Sequence, residues 1–231
     1  MESRTAAALM TMMMMACIVN SLRIIKTNAD ESTRYDSPEY TLVHSESDYE
    51  IRVYKVAAWM IAPVHSQISF EKATRNGFHR LFQYIEGANL NSSRVPMTIP
   101  VLTSVVPEAG PLRSSTYSVQ FFLPVKFQAS PPLPLPELDL KPDYWDNRCI
   151  AVRKFSGFAK DKNIVTEADK LATSLSRSAW ANYTSYEREY AYSIAQYNSP
   201  LRFIGRVNEV WVEVGGSDES GGCQSNLIAS S

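Results

Sequence analysis

Between Gln67 and Gly87 the apolar residues recur every three to four positions, so that Phe70, Ala73, Gly77, Leu81, Tyr84 and Ile85 fall on one side of a 3.6-residue wheel. Ser69 stands where an N-cap belongs and Gly87 where a left-handed stop belongs. The spacing predicts a helix over 69–86 with that side against the core. The opposite side holds Glu71, Lys72, Arg75, His79 and Glu86, as a solvated face should, but Phe82 lies in its middle and Phe78 at its border. Arg75, Phe78, His79 and Phe82 stand at i, i+3, i+4 and i+7, which makes one outward stripe of a cation, an imidazole and two rings. The functional reading is a flat, apolar, anion-tolerant ligand groove. The bland one is that a loop covers the rings or that they are simply exposed.

Elsewhere the period is mostly two. Tyr49, Ile51 and Val53 share one face of an alternating run that ends at Tyr54, and 56–64 continues as a more buried strand. Strands are expected over about 95–106 and 116–123, the second with Tyr117, Val119, Phe121 and Leu123 on one side. Proline-rich 124–142 lacks ladder donors and reads as an extended connector inside one domain. That explains Pro131–Pro136 better than a ligand for an SH3 domain does. A strand over 149–154 follows, then a helix from 163 to about 182 with Ala168, Leu171, Ala172, Leu175 and Ala179 at helical spacing. Strands over 190–197 and 207–214 close the series. Each half is therefore strand, helix, strand, strand. Joint burial of their apolar faces predicts a single α+β domain with a pseudo-two-fold relation between the halves. From Gly215 the composition turns to Gly, Ser and Asp, and disorder is expected over 215–231.

Composition narrows the function classes. The 231 residues carry a formal charge of -1, and without residues 1–29 the balance is -3, which offers no electrostatic footprint for nucleic acid or anionic membrane. Arg4 precedes an apolar run from Ala6 to Val19 that suits a signal peptide and is short for a membrane span of about 20 residues. Small residues at Thr27 and Ala29 allow cleavage before Asp30, and Val19 and Ser21 permit an earlier cut; a secretory or extracellular destination is expected, with no membrane span in the mature form. An uncleaved anchor, an organelle transit peptide or a cytoplasmic protein is the alternative. Asn91-Ser-Ser93 and Asn182-Tyr-Thr184 are glycosylation sequons that matter only in that pathway. Cys17 would leave with the signal. A Cys149–Cys223 disulfide is open to an oxidising compartment, but a buried free Cys149 and a disordered Cys223 are preferred.

The chain has no phosphate-cradling glycine loop, no His/Cys metal spacing, no CxxCH and no Gly-x-Ser-x-Gly elbow. His44 and His65 read as structural or solvated. Glu209 and Arg206, close to Trp211, read as a structural ion pair or hydrogen-bond network, with a catalytic Glu209 as the sharper alternative.

Several motifs then recur in order: Tyr84-Ile-Glu-Gly87, Met97-Thr-Ile-Pro-Val101, Phe122-Leu-Pro124, Pro131-Pro132, Phe155-Ser-Gly-Phe158, Tyr197-Asn-Ser-Pro200 and Gly205-Arg-Val-Asn-Glu-Val-Trp211. In this order they resemble the SOUL haem-binding protein family over about 38–214. The resemblance implies a strongly curved antiparallel sheet or distorted β-barrel flanked by two helices, akin to bacterial effector-binding domains of the gyrase-inhibitor type. It also implies a haem groove on the first helix and the loop before the last strand. Carried over, these positions are Arg75, Phe78 and Phe82, with Arg202 facing them. Phe78 and Phe82 stand where family members can carry methionine. A histidine proposed as ligand in some members falls at Val53, which removes that ligand here. His79, one helical turn from Arg75, becomes the candidate for iron. The expected function is non-enzymatic binding or carriage of haem and related tetrapyrroles, held non-covalently. A protein-interaction module using the same groove and a small-molecule hydrolase are the alternatives.

Overall fold

Helix α1 forms where the spacing predicts it, over Phe70–Ile85. The Ser69 hydroxyl accepts from the Lys72 amide at 3.3 Å, and Gly87 ends the helix at a φ of 116° that other residues rarely adopt. Its buried residues are Phe70, Ala73, Gly77, Leu81, Tyr84 and Ile85, the six that the wheel places inward. The computed structural model describes residues 35–67, 69–106, 115–181, 192–215 and 223. The expected leader at 1–29, the sequon at Asn182 and most of the tail lie outside them.

Among the described residues, nine strands make one antiparallel sheet: β1 (Tyr40–Ser45), β2 (Glu50–Tyr54), β3 (Ala57–Gln67), β4 (Val101–Val106), β5 (Ser115–Phe122), β6 (Lys141–Trp145), β7 (Arg148–Ser156), β8 (Tyr192–Gln196) and β9 (Val207–Glu213). A second helix, α2, spans Asp161–Ser176. The order across the sheet is β1-β2-β7-β9-β8-β4-β5-β3-β6. Without β1 it reads the same from both ends once β2-β3-α1-β4-β5 is matched to β6-β7-α2-β8-β9. The α+β class, the curved antiparallel sheet with two helices and the repeated half are thus all present. Each half has one more strand than expected, and that strand crosses over: β2 pairs with β7, and β6 pairs with β3.

Four boundaries differ from expectation. The run 49–64 is two strands in separate parts of the sheet, because the chain turns at Lys55–Val56, where the Lys55 amide donates to the Glu39 carbonyl instead of a ladder. The proline-rich connector ends in β6, an edge strand where Pro142 is tolerated. β4 begins at Val101 and not near 95, since Pro96 and Pro100 have no N–H to give; the Ile99–Pro100 bond is cis. α2 stops at Ser176, where Ser176 and Ser178 hydroxyls donate to the Thr173 and Leu175 carbonyls and compete for the backbone.

Both helices lie on one face of the sheet, over a core that includes Ile51, Met60, Val119, Leu81, Ala151, Leu171 and Val210. α1 approaches β5 so closely that a Cβ on Gly77 would sit 2.4 Å from Val119 Cγ2. The helix N-termini meet and cap one another. Asp161 accepts from the Phe70 amide at 2.5 Å and the Ser69 hydroxyl at 2.7 Å, while Glu71 accepts from the Asp161 amide at 3.3 Å. The other face holds a second core of Tyr54, Trp59, Phe122, Trp145 and Trp211. The expectation of a free Cys149 is corrected: it is joined to Cys223, 74 residues away, with the Cα atoms 5.9 Å apart, and Cys223 is buried.

Candidate functional site

The outward stripe of α1 is present as an aromatic surface with polar flanks. The rings of Phe78 and Phe82 are stacked, with centroids 5.9 Å apart and planes 16° apart. Phe78 is half-buried because its other side packs edge-on against Phe121 of β5 at 5.4 Å, whereas Phe82 remains 44% exposed. Phe78 therefore anchors Phe82 to the core. Arg75 and His79 are both exposed. Arg75 has no ion-pair or hydrogen-bond partner among the described residues. His79 Nδ1 meets the Gln83 side-chain amide at 3.0 Å, which leaves Nε2 as the ring nitrogen open to another group. Four residues predicted to share a face do share it, in an arrangement suited to a planar apolar body with anionic edges.

Further members are more distant. Arg202 lies half-buried in the loop between β8 and β9, where its Nε donates to the Ile204 carbonyl and its own carbonyl accepts from Arg206. The contacts described for it lie in that loop. Val53 is on β2, whose partners are β1 and β7, while α1 packs on β3, β5 and β4. That position belongs to the other end of the sheet from the stripe. His44 pairs with Glu46 at 3.0 Å. Among the described residues, no group of three or more His, Cys, Asp and Glu side chains could hold a metal ion. No described helix is long and apolar enough to cross a membrane. Asn91 is exposed in a turn after α1, the geometry an acceptor site requires.

The spacing also missed a buried ionic cluster. Glu209 pairs with Arg52 of β2, not with Arg206 as expected: Arg52 Nη1 and Nη2 donate to the two carboxylate oxygens at 3.1 and 2.9 Å. The sheet brings β2 and β9 to either side of β7, a relation that no local pattern encodes. Arg52 also donates to Glu50 at 2.8 Å and Tyr54 at 3.1 Å, and Glu209 accepts from Tyr197 and Trp211, each at 2.7 Å. Burial alone would lower the Arg52 pKa, but Glu209 beside it raises it above the ordinary value, so the guanidinium stays charged. Burial, then the Glu209 charge, push the Tyr197 phenol well above its usual range. A cavity of about 170 Å³ opens over this cluster. Arg206 instead donates to the Ser199, Arg202 and Asn198 carbonyls and stacks 4.3 Å over Phe158, which shapes the β8–β9 loop.

Comparison with known proteins gives this geometry a context. The family model described as SOUL heme-binding protein matches residues 35–213. The chain belongs to that family. Among the family's curated proteins, human heme-binding protein 2 is 34% identical over 164 residues, covering 71% of this chain and 77% of its own length. The mouse heme-binding protein 2 is 30% identical with the same coverage of both chains. Among solved structures, the crystal structure of the EcmrR C-terminal domain aligns with a TM-score of 0.52 at 7% identity, covering 76% of this chain and 97% of that one. At that identity the likeness speaks for the fold alone.

Proposed function

We propose that this SOUL-family protein is a non-enzymatic binder or carrier of haem and related tetrapyrroles, held non-covalently on the outer face of α1. The observation that carries this is the stacked Phe78–Phe82 pair, with the Phe82 ring exposed beside Arg75 and His79. These residues fit the group. Phe78 and Phe82 offer a platform to a flat macrocycle, and Arg75, with Arg202 as the second cation from the family pattern, suits carboxylate edges through its planar fork. Bound haem would supply an iron centre and its strong visible absorbance. His79 Nε2 is the candidate ligand to that iron, although an exposed helix histidine is commonly only solvated. Binding therefore rests chiefly on ring contact and on the arginines.

The hydrolase alternative is weaker because Glu209, the one buried carboxylate among the described residues that could act as a base, already receives four donors from Arg52, Tyr197 and Trp211. The protein-interaction alternative shares the α1 face and is separated from haem binding by titration. Absorbance titration of haem and of metal-free protoporphyrin should show both binding, with His79→Ala shifting either affinity little. Loss of haem alone in His79→Ala would make iron ligation the main contribution instead.

We also infer routing through an oxidising, secretory compartment, supported by the Cys149–Cys223 disulfide and the exposed Asn91 sequon together with the Ala6–Val19 run. Protein from its native host should then begin between Leu22 and Asp30 and carry glycan on Asn91 and Asn182. An intact Met1 on cytosolic protein would rule this out.

A further inference from the structure

Three of the most exposed large apolar side chains, Val56 (70%), Val125 (77%) and Tyr144 (60%), line a single cavity of about 520 Å³. It lies at the end of the sheet where β3 begins and β5 runs out. Single exposed apolar residues are ordinary, but several around one cavity mark a place that keeps apolar surface available. The volume falls in the range of small-molecule sites, roughly 300 to 1,000 Å³. None of Arg75, Phe78, His79 and Phe82 lines it.

Its floor is fixed. Gln128 accepts from the Ala58 amide at 2.5 Å, donates to the Ala58 carbonyl at 3.2 Å, and donates to the Leu123 carbonyl. The side-chain amide thereby takes the place of ladder partners where the two strands end, and it has little left to offer a ligand. Phe122 and Ala57 supply apolar floor beside it. Specificity then falls to the rim, which carries Asp36, Glu39 and Lys55. Lys55 Nζ sits 2.6 Å from Glu39, so that pair is neutral, and the Asp36 carboxylate is left without an ion-pair partner among the described residues. Asp36 is held in place by its carbonyl, which accepts from the Ile99 amide at 3.0 Å.

We infer that this cavity is a second ligand site, separate from the α1 face, for a small aromatic molecule bearing one positive charge. The apolar walls take the ring, and the excess negative charge at Asp36 favours an ammonium over a carboxylate, the opposite preference to that of Arg75. The inference does not depend on tetrapyrrole binding.

Two probes of one shape and opposite charge test it: 2-naphthylmethylammonium and 2-naphthoate, each titrated calorimetrically into the full chain. The ammonium should bind one to one, and the carboxylate about three- to tenfold more weakly, as befits a partly exposed charge. Ala129→Trp, at an exposed residue lining the mouth, should abolish ammonium binding while leaving thermal unfolding and the haem titration unchanged. Val125→Trp is a second filling variant should the first not fold. Asp36→Asn should bring the two probes to equal affinity. The inference is overturned if the ammonium does not bind the unaltered chain, if it binds a folded filling variant as before, or if the carboxylate binds equally well.

Discussion

The two helices occupy equivalent places in the two halves, yet their outer faces differ. α2 turns Ile164, Leu171 and Leu175 to the core and leaves Lys162, Thr166, Asp169, Lys170 and Thr173 exposed, with Val165 as the large apolar residue on that side. α1 buries twice as many residues and still exposes Phe82 beside Arg75 and His79. The fold asks only for an apolar inner face, since α2 meets the same sheet with an outer face that is almost wholly polar. Phe82 is therefore no requirement of the architecture. Its exposure is what the proposed tetrapyrrole site would require of this face, and the helix without rings serves as an internal control.

If that contrast is right, changes at the interlock of the halves and on inner faces cost stability, whereas changes on outer faces do not. Arg52→Met should have the largest effect, because it leaves Glu209 buried without its partner; denaturant unfolding should show a loss of about 3–5 kcal/mol. Gly77→Ala on the inner face of α1 comes next. Alanine is the better helix former by about 1 kcal/mol. The added Cβ would meet Val119 at 2.4 and 2.6 Å, and overpacking of about 1–3 kcal/mol should prevail. Phe82→Ala and Val165→Ala, on the two outer faces, should each stay within about 1 kcal/mol of the unaltered chain in the same assay. A large loss for Phe82→Ala would show that the ring belongs to the core after all.

The smallest effect is expected where the helices meet. Burial raises the Asp161 pKa, but the Ser69 hydroxyl and the Phe70 and Glu71 amides outweigh it and hold the carboxyl below its usual range. A depressed folded pKa contributes stability that is complete above the unfolded value of about 3.9 and is lost as pH falls through the folded value. Asp161→Asn should thus flatten the dependence of stability on pH below about 4. An unchanged acid slope would mean that the mutual capping contributes nothing measurable.

Much of the fold was legible where it rests on local chemistry. The period of α1, the Ser69 cap and the Gly87 stop each act within a few residues, and the repeat of strand, helix, strand, strand follows from periodicity alone. What stayed hidden was long-range pairing. With neither Gly nor Pro between the runs 49–54 and 56–64, nothing at Lys55 and Val56 marks that the chain leaves for another part of the sheet, so β2 and β3 read as one. For the same reason the sequence offers Glu209 only its neighbour Arg206, although the sheet supplies Arg52. Cys149 and Cys223 gave no spacing signal, as a bridge across 74 residues has none to give. At the candidate site the stripe could be read because i, i+3, i+4 and i+7 fix a face by themselves. The cavity beside Asp36 could not, because it is assembled from four separate stretches of chain.

The central claim is that the outer face of α1, and not that of α2, holds a tetrapyrrole. The direct measurement is absorbance titration of haem and metal-free protoporphyrin into three proteins: the unaltered chain, Arg75→Ala with Phe82→Ala, and Lys162→Ala with Val165→Ala. The expected result is that the α1 pair weakens both ligands by about tenfold or more, the scale of a lost charge-assisted contact, while the α2 pair binds both as before. If the α1 pair binds both ligands as tightly as the unaltered chain, the groove is not on that face.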